Sequence, residues 1–178
     1  MSELTVLSPV AEQPDDEARA ELAPRGELAG LRLTVIENGK PRAHELLGAL
    51  AAGLKERHGL AAVTIFSKPG ASQPVSDETV QELAAGGDVF LTGLGDCGGC
   101  SACSLQDALL MERAGRPATV LISDPFQGRI ASYAAKLGAP GYGVVVAPHP
   151  VATRSAEFLA DLAEQLVDGV ARNLGRLP

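Results

Sequence analysis

Apolar, β-branched segments alternate with helical segments along this chain of 178 residues. The predicted strands are apolar throughout, which is typical of a parallel sheet that is buried on both faces. Alternating strands and helices then predict an α/β fold: a single three-layer αβα sandwich with a mainly parallel five-stranded sheet, 2-1-3-4-5 being the simplest strand order. The first four predicted strands span 31–38, 61–67, 88–94 and 118–123, and the segment 141–150 holds a fifth strand that ends in a proline-rich loop. The predicted helices span 42–59, 76 onward, 105–113, 127–138 and 155–174.

The first 29 residues differ in composition from the rest of the chain. They are polar, they contain the acidic run Asp15-Asp16-Glu17, and prolines interrupt them. We therefore expect residues 1–29 to form a loosely ordered N-terminal arm. Residues 30–178 are expected to form one α/β domain, which is long enough to bury a core without disulfides or metals.

Charge and hydropathy exclude several classes of partner. The net charge is −7 and the isoelectric point is near 4.9, whereas nucleic acids and anionic membranes require a basic surface. The sequence contains no secretory signal and no apolar run near the roughly 20 residues that span a bilayer. We expect a cytoplasmic protein with no nucleic-acid or membrane partner, whose cysteines are reduced.

All three cysteines lie in one short stretch, GDCGGCSAC at 95–103. Cys97 and Cys100 have the Cys-x-x-Cys spacing of thiol–disulfide redox sites. Their place just before a helix lowers the pKa of a thiol and so favours the reactive thiolate. We expect Cys97 to attack a substrate, and Cys100 to resolve the adduct as a disulfide or to stabilise the thiolate.

The glycines of this stretch and several polar residues are expected to bind the substrate. Ligands of an open parallel sheet bind outside the carboxyl ends of its strands, where the strand order reverses. The predicted substrate-binding residues all follow a strand at this edge: Lys40, Lys68, Gly95, Gly98, Ser123 and Thr153. Lys40 and Lys68 would hold an anionic substrate or activate the thiolate, or remain solvated; Thr153 and Ser155 would cap the last helix or bind an anion.

Asp96 and His149 are candidate catalytic residues beside the cysteines. His149 would serve as a general base or acid, because its free pKa lies near neutrality, or would simply bond to backbone. Asp96 would raise the pKa of the thiol if it pointed at the sulfur; otherwise it would carry a proton or accept a hydrogen bond from the substrate.

Cys103 has several possible roles that the spacing does not separate. It would face the core, resolve a disulfide or bind a metal. A zinc site of the three cysteines and His149 is conceivable, but iron–sulfur clusters usually require four thiolates. The glycine-rich loop lacks the spacing of a dinucleotide or phosphate-binding motif. We therefore expect no resident metal and no cofactor.

Several motifs in this chain resemble the UGSC-motif family of bacterial (seleno)proteins, in which a selenocysteine or cysteine is followed by Gly-Ser-Cys. The resemblance covers about residues 22–155, so that residues 30–178 would form a UGSC-like domain. It rests on LAPR (22–25), NGKPRAHELLGAL (38–50), SKPGASQP (67–74), GLGDCGGC (93–100), ERAGRPATVLISDPF (112–126) and APHP (147–150).

This resemblance implies that Cys97 stands at the selenocysteine-equivalent position and that Cys100 is its partner. A position that tolerates selenium implies a nucleophilic or redox-active chalcogen, without naming a substrate. The family's Ser is Gly99 here, which removes a hydroxyl beside the reactive pair.

Together these features predict a cysteine-dependent enzyme that performs thiol–disulfide redox or thiolate-nucleophile chemistry on a small anionic molecule. One alternative is redox-neutral carbon–sulfur bond-forming or lyase chemistry with a covalent Cys97 intermediate. Another is a metal- or sulfur-carrier module. The expected partners are a small-molecule substrate, a thiol reductant or redox partner protein, and a second copy of the chain.

Overall fold

The computed structural model describes residues 20–175, and within them it has five strands alternating with five helices. The strands β1 to β5 span Arg32–Glu37, Ala62–Ser67, Val89–Gly95, Ala118–Ser123 and Val144–Ala147. The helices α1 to α5 span Ala43–His58, Asp77–Gly86, Gly98–Arg113, Gln127–Lys136 and Ala156–Leu174, with a short 3-10 turn at Asp124–Phe126 before α4.

The sheet has the order β2-β1-β3-β4-β5, and every pair of neighbouring strands is parallel. One hydrophobic cluster joins the sheet to α1 and α5 on one face. A second cluster joins it to α2, α3 and α4 on the other face. The predicted α/β sandwich and its strand order are confirmed. The order reverses between β1 and β3, so the ends of these two strands border the predicted ligand crevice.

Burial explains why the central strands lack polar alternation. Every residue of β3 and β4 is buried, because helices cover both faces of these strands. The outer strand β2 has no fully buried residue, and β5 alternates between buried and half-buried residues. Full burial therefore marks the centre of the sheet and partial burial its edges, although the edge strand β5 is itself entirely apolar in sequence.

Two predicted boundaries are wrong. The last strand begins at Val144 instead of residue 141, since a turn precedes it, and it ends at Ala147 before the proline-rich loop, as predicted. Helix α3 begins at Gly98 instead of Leu105. The glycines had suggested a loop, but Cys97 caps the helix and its first turns contain the other two cysteines.

The N-terminal arm was predicted over residues 1–29, of which 1–19 lie outside the described residues. From residue 20 onward the chain packs on the domain: Ala23 and Leu28 are buried, and Arg25 contacts Glu112 near the end of α3. This segment is therefore part of the packed domain. Across residues 20–175, none of the helices has the length and hydropathy that a membrane span requires.

Candidate functional site

The cysteine segment begins at a local irregularity of the central strand β3. Thr92 pairs with Val120, whereas Gly95 pairs with Ile122, so β3 contains one more residue than β4 between the two pairs. Such a bulge changes the direction in which the end of a strand points. A Cβ atom added to Gly95 would lie 2.7 Å from the Ser101 hydroxyl oxygen. Gly95 therefore lets α3 pack closely on the strand end, where the strand leads into the cysteines.

Cys97 is the N-cap residue of α3. Its backbone is extended, and its Sγ accepts a hydrogen bond from the backbone N–H of Cys100 at 3.2 Å. The Cys97 carbonyl oxygen accepts hydrogen bonds from the Ser101 backbone N–H at 3.0 Å and the Ser101 hydroxyl at 2.7 Å. The sulfur thus occupies the place of a capping oxygen, where helix N–H groups stabilise negative charge.

The surroundings of Cys97 lower the pKa of its thiol. Partial burial acts in the opposite direction and raises this pKa, but the neighbouring thiol and the backbone N–H of Cys100, together with the positive charge of Lys40, outweigh it. The side chain remains half-buried, so small molecules have access to it. Lys40 follows β1 and Cys97 follows β3, and the effect of the Lys40 charge on Cys97 places the two loops near each other at this edge of the sheet.

Cys100 has the opposite character. It is only 1% exposed, and its thiol donates a hydrogen bond to the Cys97 carbonyl at 3.3 Å. Burial, together with the neighbouring Cys97 sulfur, raises the pKa of Cys100 to about 11. The Cys-x-x-Cys pair therefore consists of one half-buried sulfur that favours the thiolate and one buried sulfur that favours the thiol.

Lys68 is not available to a substrate anion, contrary to the prediction. Its ammonium group is buried and lies 2.5 Å from the carboxylate of Asp107, which also accepts a hydrogen bond from the Val75 backbone at 2.8 Å. A buried cation requires such a partner. Cys103 is half-buried beside this pair, and burial raises the pKa of its thiol.

The Asp96 carboxylate binds groups at the ends of β4 and β5. Its Oδ1 lies 2.9 Å from His149 Nδ1 and accepts a hydrogen bond from the Ser123 hydroxyl at 2.7 Å. Its Oδ2 accepts a hydrogen bond from the backbone N–H of Val151 at 3.3 Å. A carboxylate at Nδ1 holds the proton there, and Nε2 of the neutral imidazole is then the proton acceptor.

Comparison with known proteins matches the chain to the UGSC family over residues 5–176. The chain belongs to the UGSC family. No curated protein matches it. Among solved structures, it is similar to a diflavin flavoprotein A3 from Nostoc sp., with 17% identity, 81% of this chain and 93% of that chain covered, and a TM-score of 0.44.

In this UGSC protein, Gly99 replaces the Ser of the family motif without a packing requirement. A Cβ added to Gly99 would meet no atom within 4 Å, so the position has room for the missing side chain. Gly98 is more restricted, because a Cβ there would lie 3.3 Å from a guanidinium nitrogen of Arg129. At this exposed position beside the cysteine pair, the chain therefore differs from the family motif only in lacking the serine side chain and its hydroxyl.

Two predicted substrate-binding residues have structural surroundings instead, and a third is exposed. Gly95 and Ser123 are buried, and Ser123 donates to Asp96, so it supports the Asp96–His149 pair from below. Thr153 is exposed and does not cap α5; Ser155 does, since its hydroxyl accepts a hydrogen bond from the Phe158 backbone at 3.2 Å. Lys40 and Gly98 remain at the surface beside Cys97.

Sequence reasoning missed residues that support or flank the site of this UGSC protein. Asn38 is buried and donates from its amide to the Leu94 carbonyl at 2.9 Å, linking β1 to the end of β3. The sequence feature that could have indicated a role for Asn38 is its position directly after the first strand. Ser101 and Arg129 lie on helices, and no motif distinguishes them from ordinary helix residues.

The zinc site considered from spacing does not form. Within residues 20–175, no group of three His, Cys, Asp or Glu side chains is arranged to hold a metal ion. His149 is bound to Asp96 through Nδ1. The arrangement supports chemistry by one activated sulfur, a second buried sulfur and an oriented imidazole.

Proposed function

We propose that this protein is a cysteine-dependent enzyme that performs thiol–disulfide exchange on a small anionic molecule, with Cys97 as the attacking residue. The observation that supports this most is the opposite character of the two sulfurs: the pKa of Cys97 is lowered at the helix N-cap, and that of buried Cys100 is raised to about 11. Thiol–disulfide exchange needs this division between an attacking and a resolving thiol.

In the first step, the Cys97 thiolate attacks one sulfur of a small disulfide. A bond forms between Cys97 and that sulfur, the substrate S–S bond breaks, and the second sulfur leaves as a thiolate that takes a proton. His149 is the ionisable group on the same sheet edge that would exchange this proton, because Asp96 occupies its Nδ1. Both electrons of the broken bond leave with the departing thiolate.

In the second step, the Cys100 thiol loses its proton and attacks Cys97. The Cys97–Cys100 disulfide forms and the first substrate sulfur leaves as a thiolate, so the substrate is reduced by two electrons and the protein is oxidised by two. A low-molecular-weight thiol or a dithiol protein must then reduce the protein disulfide. Such reductants are abundant in the cytoplasm, where we expect the protein to act.

The high pKa of Cys100 also favours a second candidate function. A thiol that stays protonated and hydrogen-bonded leaves Cys97 as a lone nucleophile. Cys97 would then form a covalent intermediate with an electrophilic carbon, in redox-neutral carbon–sulfur bond-forming or lyase chemistry. No protein disulfide would appear in that cycle.

Treatment with an excess of a small neutral disulfide, followed by alkylation and mass spectrometry, separates these proposals. Exchange predicts a Cys97–Cys100 disulfide in the wild type and in Cys103→Ser, and a stable mixed disulfide on Cys97 in Cys100→Ser. If the wild type instead retains the mixed disulfide as long as Cys100→Ser does, Cys100 does not resolve it and the exchange proposal is wrong.

A further inference from the structure

A cleft of about 490 Å³ lies between α3 and α4, and its lining includes the residues that follow Cys97 in the chain but neither Cys97 nor Cys100. This volume is within the range of small-molecule sites. One wall consists of Gly98, Gly99 and Ala102, directly after Cys97 in the chain. The other wall is one face of α4, formed by Arg129, Ile130, Ser132, Tyr133 and Lys136.

The cleft is positively charged in a protein whose net charge is −7. Its lining includes two cations, Arg129 and Lys136, and no acidic residue. Both side chains are exposed, and neither forms an ion pair with any of residues 20–175. Most other arginines of this region have a carboxylate partner. Unused cations in a concave site favour an anionic ligand.

The position of Arg129 relates this charge to the cysteines. Its guanidinium group lies against the backbone of Gly98, which follows Cys97 directly. The opposite wall is open at Gly99, where an added side chain would meet no atom within 4 Å. A ligand whose anionic group binds Arg129 would therefore lie beside the first turn of α3, which follows Cys97 directly.

We propose that this cleft binds the carboxylate of the small thiol or disulfide that exchanges with Cys97, and that Arg129 is the main determinant of its charge. The proposal rests on the proposed function and adds the ligand class. An arginine binds a carboxylate through two parallel hydrogen bonds. Lys136 lies about two turns further along the same face of α4 and adds positive charge. Tyr133 offers a hydroxyl donor.

Three disulfides of similar length but different charge test this: dithiodipropionate, bis(hydroxyethyl) disulfide and cystamine, which are dianionic, neutral and dicationic. We expect the wild type to react fastest with the dianion. Arg129→Gln should slow the dianion about tenfold, the factor for losing a charged hydrogen bond. It should leave the rate with the neutral disulfide unchanged. Lys55→Gln removes the same charge from an exposed site on α1 and should change none of the rates.

A second variant reverses the charge of the cleft. Gly99→Glu places a carboxylate on the open wall and should reverse the preference, so that cystamine reacts faster than dithiodipropionate. If Arg129→Gln and Lys55→Gln give the same ratio of dianion to neutral rates as the wild type, the cleft does not select the ligand. If the neutral disulfide itself fails to produce a Cys97–Cys100 disulfide, the proposed function is wrong as well.

Discussion

The two ends of helix α3 differ in how completely hydrogen bonds stabilise a negative charge. At its carboxyl end, the buried carboxylate of Glu112 accepts hydrogen bonds from the Arg25 guanidinium, the backbone N–H groups of Ala23 and Ala118, and the Tyr142 hydroxyl. At its amino end, the Cys97 sulfur accepts one backbone hydrogen bond and lies half-exposed near Lys40.

This contrast shows which polar groups serve the fold and which are available to chemistry. A buried charge whose hydrogen bonds are all made is not available to a reactant, and removing one of its partners lowers the stability of the fold. A sulfur with partial stabilisation and access to solvent has a lowered pKa and free space for a reactant. We expect changes at the carboxyl end to affect stability, and changes at the amino end to affect thiol reactivity.

The largest effect is expected at Arg25. Replacing it by Ala leaves the Glu112 carboxylate buried without its cation, which should lower the free energy of unfolding by about 3–5 kcal/mol. Urea unfolding measures this loss. Arg32→Ala is the matched control, because its ion pair with Asp88 is more exposed and its loss should be much smaller. Equal losses in both variants would show that Glu112 does not depend on Arg25.

A smaller loss of stability is expected at Gly95. In Gly95→Ala, the new methyl group would lie 2.7 Å from atoms of Ile122 and Ser101. Because these atoms must shift to remove the overlap, the free energy of unfolding should fall by about 1–3 kcal/mol. Gly99→Ala should change it by no more than about 1 kcal/mol, since its Cβ meets no atom within 4 Å. Similar urea midpoints for the two variants would contradict the close approach of α3 to β3.

Reactivity of Cys97 should fall when its neighbour is removed. Cys100→Ala removes the neighbouring thiol that lowers the pKa of Cys97, so the thiolate fraction at neutral pH decreases. We expect alkylation of Cys97 by iodoacetamide at pH 7 to slow several-fold, while the rate at pH 10 changes little. Cys103→Ala is the matched control; an equal slowing there would argue against a specific role for Cys100.

The smallest effect is expected from the charge of Lys40. Lys40→Gln removes an electrostatic contribution that is weaker than the hydrogen bonds from Cys100, so the pKa of Cys97 should rise less. High salt should slow alkylation of the wild type toward the rate of the variant, because salt screens the interaction of the half-buried Lys40 with the sulfur at least in part. A variant with unchanged rate and unchanged salt dependence would show that Lys40 does not act on the sulfur.

The fold was predictable because hydrophobic patterning determines it. Five apolar strands with helices between them led to the parallel sheet. Its strand order was the simplest choice and did not follow from the patterning, and this choice located the edge that holds Lys40 and Cys97. The predictions failed at two points, a local helix cap and a long-range ion pair. The glycines at 98 and 99 predicted a loop, yet the cap formed by Cys97 starts α3 there. The partner that removes Lys68 from the site, Asp107, is 39 positions away in the sequence.

The supporting residues were not predictable for the same reason. The glutamate that receives Arg25 and the carboxylate that orients His149 are 87 and 53 positions from their partners. No short motif encodes such pairs. The residue type of Asp96 was informative, but its partners follow from the placement of Ser123 and His149 at neighbouring strand ends.

The most direct test of the account is the pH dependence of alkylation, followed separately at each cysteine by mass spectrometry. The account predicts that Cys97 reacts first and with a midpoint below about 8.5, the pKa of a free cysteine. Cys100 should not titrate until near pH 11. A midpoint for Cys97 at or above that of free cysteine, or prior reaction of Cys100, would contradict an activated sulfur at the start of α3.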